Sequence, residues 1–199
     1  MVKLVNQTIF RSRIKEKGIL IFSAPDVCGI FGVSKVAAIG LLHRYSAKKI
    51  IVKLKRGLYA LSDASLPEPY VANRIYSPSY VSLEFALSYH GVIPETVYEI
   101  TSVTTKAPRR FEVLGRIFSY RKIKKSAFSG YGVERQNNLG FYIADAQKAF
   151  VDANYFRWFE KLPPISRFNK EKIDIETVKN YARLFGKGDF ENFIKKSLQ

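Results

Sequence analysis

The stretch DVCGIFGVSKVAAIGLLHRYS, residues 26–46, constrains the fold more than any other. Two short apolar runs of helical spacing meet at Gly32, leaving room only for a tight turn. Gly32 supplies the backbone freedom that such a turn requires. Ser23 stands where a helix N-cap belongs. Pro25 and Asp26 follow in the first turn, where a missing N–H and a negative charge are both tolerated. Ser34 caps the second helix, which is expected to run to about Lys48. Counted from the turn, Ala38, Leu42 and Tyr45 face inward, with Leu41 at the margin. Cys28 lies four residues before Gly32 and puts a small side chain where the two helices cross. It is the only cysteine, so an internal disulfide and a Cys-rich metal site are excluded, and a buried apolar role is expected.

The flanks complete a pattern. LVNQTIFRSRIKEKG, residues 4–18, predicts a helix of about twelve residues stopped by Gly18. ILIF (19–22) reads as a short strand. IIVKLK (50–55) and LYALS (58–62) alternate as strands around Arg56-Gly57, a hairpin signal. Helix, strand, helix, turn, helix, hairpin is the order of a winged helix-turn-helix. SDASLPEP (62–69) has the composition of a linker and divides the chain near residue 66. The expected organisation is therefore a winged helix-turn-helix DNA-binding domain over 1–66 and a second domain over 67–199.

Charge supplies the functional constraint. The chain of 199 residues carries 33 Lys and Arg against 17 Asp and Glu, a formal net charge of +16. The first 66 residues hold 12 of those cations and 3 of those acids, so charge is densest there. An excess of this size is an electrostatic footprint for a polyanion. In a winged helix-turn-helix the outward residues of the second helix of the turn meet the major groove. Those are Lys35, Val36, Ile39, Gly40 and His43, with Ser34 at the cap. Only Lys35 and His43 can hydrogen-bond a base; Val36 and Ile39 suit thymine methyls or a protein surface. Phosphate contacts are better supplied, by Arg44, Lys48, Lys49, Lys53, Lys55 and Arg56. Asp63 is the only acid between Asp26 and Glu68, which leaves these cations few local partners.

The second part reads as α+β. A helix is expected from Ser82 to Tyr89, stopped by Gly91, with His90 at its end, where a cation is favoured. Strands are expected at 96–105, at 109–125 as a pair around Gly115, and at 138–144. Helices are expected at 145–159, 173–186 and 188–199. Together these predict a small, mostly antiparallel sheet with C-terminal helices. Arg109, Arg110, Arg116, Arg121, Lys122, Lys124 and Lys125 form a second basic group. It suits a partner or nucleic-acid surface, or a solvated edge strand protected by lysine.

Chemistry is sparse. There is no phosphate-binding glycine loop and no Gly-x-Ser-x-Gly. His43 and His90 are the only histidines, so no metal site and no cofactor are expected. No acid is followed two places later by lysine, which disfavours one nuclease motif. Asp174 and Glu176 fit the acidic first turn of a helix. A nucleic-acid-processing enzyme using Asp152 or Asp174 stays open as an alternative, as does a protein-interaction module with a degenerate winged helix. No apolar run reaches the roughly 18 residues of a membrane span, and no block of signal-peptide type stands at the N-terminus. A cytoplasmic protein without a membrane partner is expected.

Several segments carry a resemblance. RGLYALSD (56–63), SPSYVSLEFALSYHGVIPE (77–95), ITSVTTKAPRRFE (100–112), FSYRKI (118–123), YIADAQKAFVD (142–152) and IDIETVKNYARLFG (173–186) run in one order along nearly the whole chain. In this the chain resembles the AbiEi-type antitoxins, the regulatory half of bacterial AbiE abortive-infection systems. The resemblance implies a winged-helix domain that binds operator DNA and represses the operon, and a C-terminal domain that counters a nucleotidyltransferase-type toxin. Two copies on an inverted repeat would fit such an operator. Where the family often carries Pro-Glu-Lys-Ala this chain has Ala146-Gln147-Lys148-Ala149, so the acid of that motif is missing.

Overall fold

The protein is described by a computed structural model covering residues 6–198. The chain divides into two compact units, one up to Leu66 and one from Pro67. Both are mixed α and β.

In the first unit the order is α1 (Gln7–Glu16), β1 (Ile21–Phe22), α2 (Ala24–Phe31), α3 (Lys35–Ala47), β2 (Ile51–Lys55) and β3 (Leu58–Leu61). Leu4 and Val5, expected to open the first helix, lie outside the described residues. Asn6 caps α1 by accepting from the Ile9 N–H at 2.8 Å, and Gly18 follows it at φ 65. Asp26 reaches back to the start of α2 and accepts from both the N–H and the hydroxyl of Ser23, at 2.7 and 2.6 Å. Gly32 ends α2 in the left-handed region at φ 63, and the chain turns through 110° into α3. Strands β1, β3 and β2 form an antiparallel sheet in that order. Phe10 of α1 centres the core, stacked on Phe31 and edge-on to Phe22 and Tyr45. Ala38, Leu41, Leu42 and Tyr45 of α3 are all buried, so Leu41 belongs to the core and not to its margin. Cys28 is half-buried against this core, where full burial was expected, because α2 lies at the edge of so small a unit.

The second unit opens with α4 (Glu68–Ile75) and continues with β4 (Ser79–Val81), α5 (Leu83–Tyr89), β5 (Ile100–Thr104), β6 (Arg109–Val113) and β7 (Arg116–Lys122). After a short 3₁₀ turn come β8 (Tyr131–Gln136), β9 (Leu139–Ala144), α6 (Ala146–Phe159), α7 (Ile175–Arg183) and α8 (Gly188–Ser197). The linker reading extended too far, since Glu68 and Pro69 begin α4. Proline is tolerated in a helix's first turn because its missing N–H has no partner there anyway.

The sheet is larger than expected and it is mixed. Its six strands run β6-β7-β5-β4-β9-β8, with β5–β7 and β4–β9 parallel and the other three pairs antiparallel. Strand β7 is therefore an inner strand and not an edge. Neighbouring side chains on β7 show the two layers above and below the sheet. Tyr120 donates to the Ala72 carbonyl of α4 at 2.6 Å, while Arg121 on the opposite face lies over the Phe156 ring of α6 at 3.9 Å. Among the described residues, no single helix is long and apolar enough to cross a membrane.

Candidate nucleic-acid interface

Helix α3 buries one side and exposes the other. Ser34 accepts from the Ala37 N–H at 3.2 Å, so its hydroxyl serves as the cap. Lys35, Val36, Ile39 and His43 are exposed, with Val36 at 81% and Ile39 at 52%. Gly40 is half-buried, and a side chain added there would come within 3.7 Å of the Arg44 guanidinium.

The C-terminus of α3 turns directly into the cationic hairpin. Lys49 adopts φ 55, its N–H donates to Ser46 at 3.0 Å, and the Ile50 N–H donates to Tyr45 at 2.9 Å. That pair of bonds is the Schellman arrangement, which redirects a chain sharply at a helix end. It puts Lys48 and Lys49 on the bend, exposed, and starts β2 immediately after them. The loop between β2 and β3 is Arg56-Gly57, with Gly57 at φ 78. A register shift between Lys53 and Lys55 marks a bulge, and Leu54 between them is buried. Lys53 and Arg56 are exposed and Lys55 is half-buried.

Two of the three acids of this unit are engaged elsewhere. Asp63 binds Arg11 at 3.3 Å and Lys15 at 3.1 Å, and the bond from Lys15 holds its carboxyl below the usual carboxylate range. Asp26 is committed to capping α2. No ion pair among the described residues involves Lys35, Arg44, Lys48, Lys49, Lys53, Lys55 or Arg56. Seven cations thus lie on one continuous segment, from α3 through the hairpin, without a neutralising carboxylate.

The second basic group does not hold together in this way. Arg116 and Lys122 lie on the α4 face of the sheet and Arg121 on the α6 face, as strand alternation requires. Arg116 pairs with Glu68 at 2.6 Å, Arg121 with Glu160, and Arg110 with Glu99 at 3.9 Å. Lys124 donates to the Phe185 carbonyl. Arg109, Lys122, Lys124 and Lys125 stay exposed without an ion pair among the described residues.

No protein-family model and no curated protein matches this chain.

The acids weighed for catalysis have structural work. Asp174 accepts from the Thr177 N–H at 2.7 Å as the cap of α7, and this bond pulls its pKa down. Glu176 faces Lys179 at 3.6 Å and Arg183 at 3.9 Å. Asp152 lies in a closed polar cluster that the residue spacing alone did not reveal. Its carboxylate accepts from Lys148, from Tyr80 at 2.9 Å and from Ser82 at 2.9 Å, and both members of the Lys148–Asp152 pair are 0% exposed. Burial pushes the Asp152 carboxyl up, against the pull of the Lys148 charge and of the hydrogen bonds from Lys148, Ser82 and Tyr80. The only local signal was a Lys and an Asp four apart on one helix. His90 is satisfied in the same unit, with Nε2 2.8 Å from the Ala144 carbonyl oxygen. No group of three or more metal-ligating side chains occurs among the described residues.

Proposed function

We propose that the chain is a DNA-binding transcriptional repressor and the antitoxin of a bacterial abortive-infection toxin–antitoxin system. In this reading the first unit is a winged helix-turn-helix. Helices α2 and α3 form the turn pair, whose 110° bend lies within the range usual for that motif, and β2–β3 is the wing. One observation carries the reading: seven cations lie along α3, its C-terminal bend and the hairpin without an ion pair, while Asp63 and Asp26 are held by other partners. Such a surface holds a phosphate backbone and releases its counterions. Base readout is narrow, through Lys35 and His43 for hydrogen bonds and through Val36 and Ile39 for thymine methyls. Repression acts by occlusion, with two copies on an inverted repeat.

The antitoxin half rests on the resemblance to AbiEi-type proteins and assigns the second unit to countering a nucleotidyltransferase-like toxin. The same reading gives the chain no catalytic role, which fits the capping and ion-pair duties of Asp174 and Asp152.

The test is a salt titration of binding to the DNA upstream of the chain's own reading frame. Replacing Lys53, Lys55 and Arg56 by Ala is expected to weaken binding to all sequences and to lower the log–log salt slope by roughly 2–3. An unchanged slope would remove the wing from the interface. Co-expression with the neighbouring toxin reading frame tests the second half, with restored growth as the expected outcome.

A second reading has its own observation. Val36 and Ile39 are apolar and open to solvent on α3, as a protein-docking surface would be. A gel shift showing no affinity for the upstream DNA, with Val36→Asp abolishing a protein complex, would favour it.

A further inference from the structure

The second unit contains a cavity that the operator-binding reading does not use. It lies where β4 and β9 part. These parallel strands pair only at Val81 and Ile143. Ahead of that pair the amide of Asn73, from α4, takes the place of strand pairing. Its Nδ2 donates to the carbonyls of Ser79 at 3.4 Å and Tyr142 at 3.3 Å, and its Oδ1 accepts from the Tyr142 N–H at 2.5 Å. The sheet is thereby held open beside a cavity of about 480 Å³, within the range of small-ligand sites.

The lining is aromatic and polar together. Tyr70, Phe128, Tyr131 and Tyr142 contribute rings, and Arg74 contributes a cation. Tyr131 stacks on the buried Tyr80 at 4.5 Å and 17°, so that ring is fixed from behind. Tyr142 stands edge-on to Tyr131 at 5.8 Å and 87° and remains 49% exposed. The hydroxyls of Tyr70, Tyr131 and Tyr142 have no hydrogen-bond partner among the described residues. Gly140 also lines the cavity and leaves its wall without a side chain beside Tyr142. A solvent-facing ring on a backbone clamped by Asn73 is a stacking platform. Free phenol hydroxyls suit the donor and acceptor edge of a flat heterocycle, and Arg74 suits a phosphate.

We infer that this cavity binds a single nucleotide, with the base stacked on Tyr142 and its edge read by the hydroxyls of Tyr70 and Tyr131. The ligand is either a free mononucleotide or an unpaired nucleotide of a single strand. The site is lined wholly by residues of the second unit and draws on no residue of α3 or the hairpin.

The test uses the full chain and isothermal titration with mononucleotides of each base, with six-residue single strands, and with inorganic pyrophosphate as a pure-charge control. Saturable binding of one nucleotide per chain is expected, weakened about tenfold or more by Tyr142→Ala and little by Tyr142→Phe. Arg74→Gln is expected to weaken the nucleotide and leave the matching nucleoside unaffected. Mononucleotide binding as tight as that of the single strand identifies the free form as the ligand; binding of the strand alone identifies the unpaired residue. The proposal fails if no nucleotide or strand binds at millimolar concentration, if pyrophosphate competes equally, or if Tyr142→Ala leaves the affinity unchanged. It also fails if only an aromatic peptide enters the cavity. The Lys53, Lys55 and Arg56 triple variant should bind nucleotide normally and Tyr142→Ala should bind duplex normally, so the two readings fail separately.

Discussion

The Lys148–Asp152 pair is the costliest residue-level choice in the molecule. Two charges at 0% exposure repay their lost hydration only while every donor and acceptor is matched. Here Tyr80 and Ser82 complete the match by donating to the same carboxylate. Lys148→Met would strand that carboxylate in the interior, and a loss of about 3–5 kcal/mol in unfolding free energy is expected by urea denaturation. Adding Asp152→Asn removes the stranded charge and keeps an acceptor for Tyr80 and Ser82. The double variant should therefore recover more than half of that loss. If the single variant costs less than 1 kcal/mol, the pair is not the buried unit described. Sequence spacing could suggest that Lys148 and Asp152 share a helix face, but not that Tyr80 and Ser82 arrive from some 70 residues away to close the cluster.

At the scale of elements, legibility followed local chemistry. Ser23 and Ser34 announced helix starts because a capping side chain acts within three residues. The buried face of α3 was legible from its period. Three elements were not. Helix α4 hid behind Pro67 and Pro69, which read as linker. Strand β4 is only three residues long. Strand β8 is an edge exposed along its whole length, so it shows no apolar alternation. Neither parallel pairing has a local signature, because which strands become neighbours is decided by contacts distant in the chain. The division of the second basic group between two faces was hidden for a similar reason: Glu68 and Glu160, which pair with Arg116 and Arg121, lie 48 and 39 residues from them. The bend after α3 offers a direct test. Lys49 at φ 55 carries the strain of a non-glycine residue in the left-handed region. Lys49→Gly is expected to raise stability by about 0.5–1 kcal/mol while lowering the salt slope of DNA binding by about 1. Stability and affinity would then move in opposite directions, which a merely structural lysine would not produce.

Over the whole molecule the two units spend their charge differently, and their phenols extend the contrast to pH. In the first unit the cations of the hairpin face no carboxylate; in the second, most arginines of the sheet do. Stability at neutral pH therefore does not hinge on surface ion pairs, which contribute little each. It hinges on buried groups, among which the tyrosines set the response to alkaline pH. Burial raises the pKa of Tyr80 and Tyr120 far above the ordinary value of 10.0, and that of Tyr181, whose hydroxyl donates to Asp145 at 2.6 Å, to about 12. Each phenol keeps its proton in the folded chain at a pH where the unfolded chain has released it. The unfolded state then binds fewer protons, so unfolding free energy falls as pH rises through 10 and beyond. For Tyr181 the stabilisation is complete below pH 10 and gone above about 12. Urea midpoints measured from pH 8 to 11.5 should be flat at first and then decline steeply. Tyr120 is the cleanest probe, since it is 1% exposed and among the described residues its hydroxyl meets only the Ala72 carbonyl. Tyr120→Phe is expected to cost about 1 kcal/mol at pH 8 for the lost hydrogen bond. Above pH 10 it should flatten the decline by about 1.4 kcal/mol per pH unit, the contribution of one retained proton. A parallel decline in the variant would place that phenol in solvent and open the packing between α4 and the sheet.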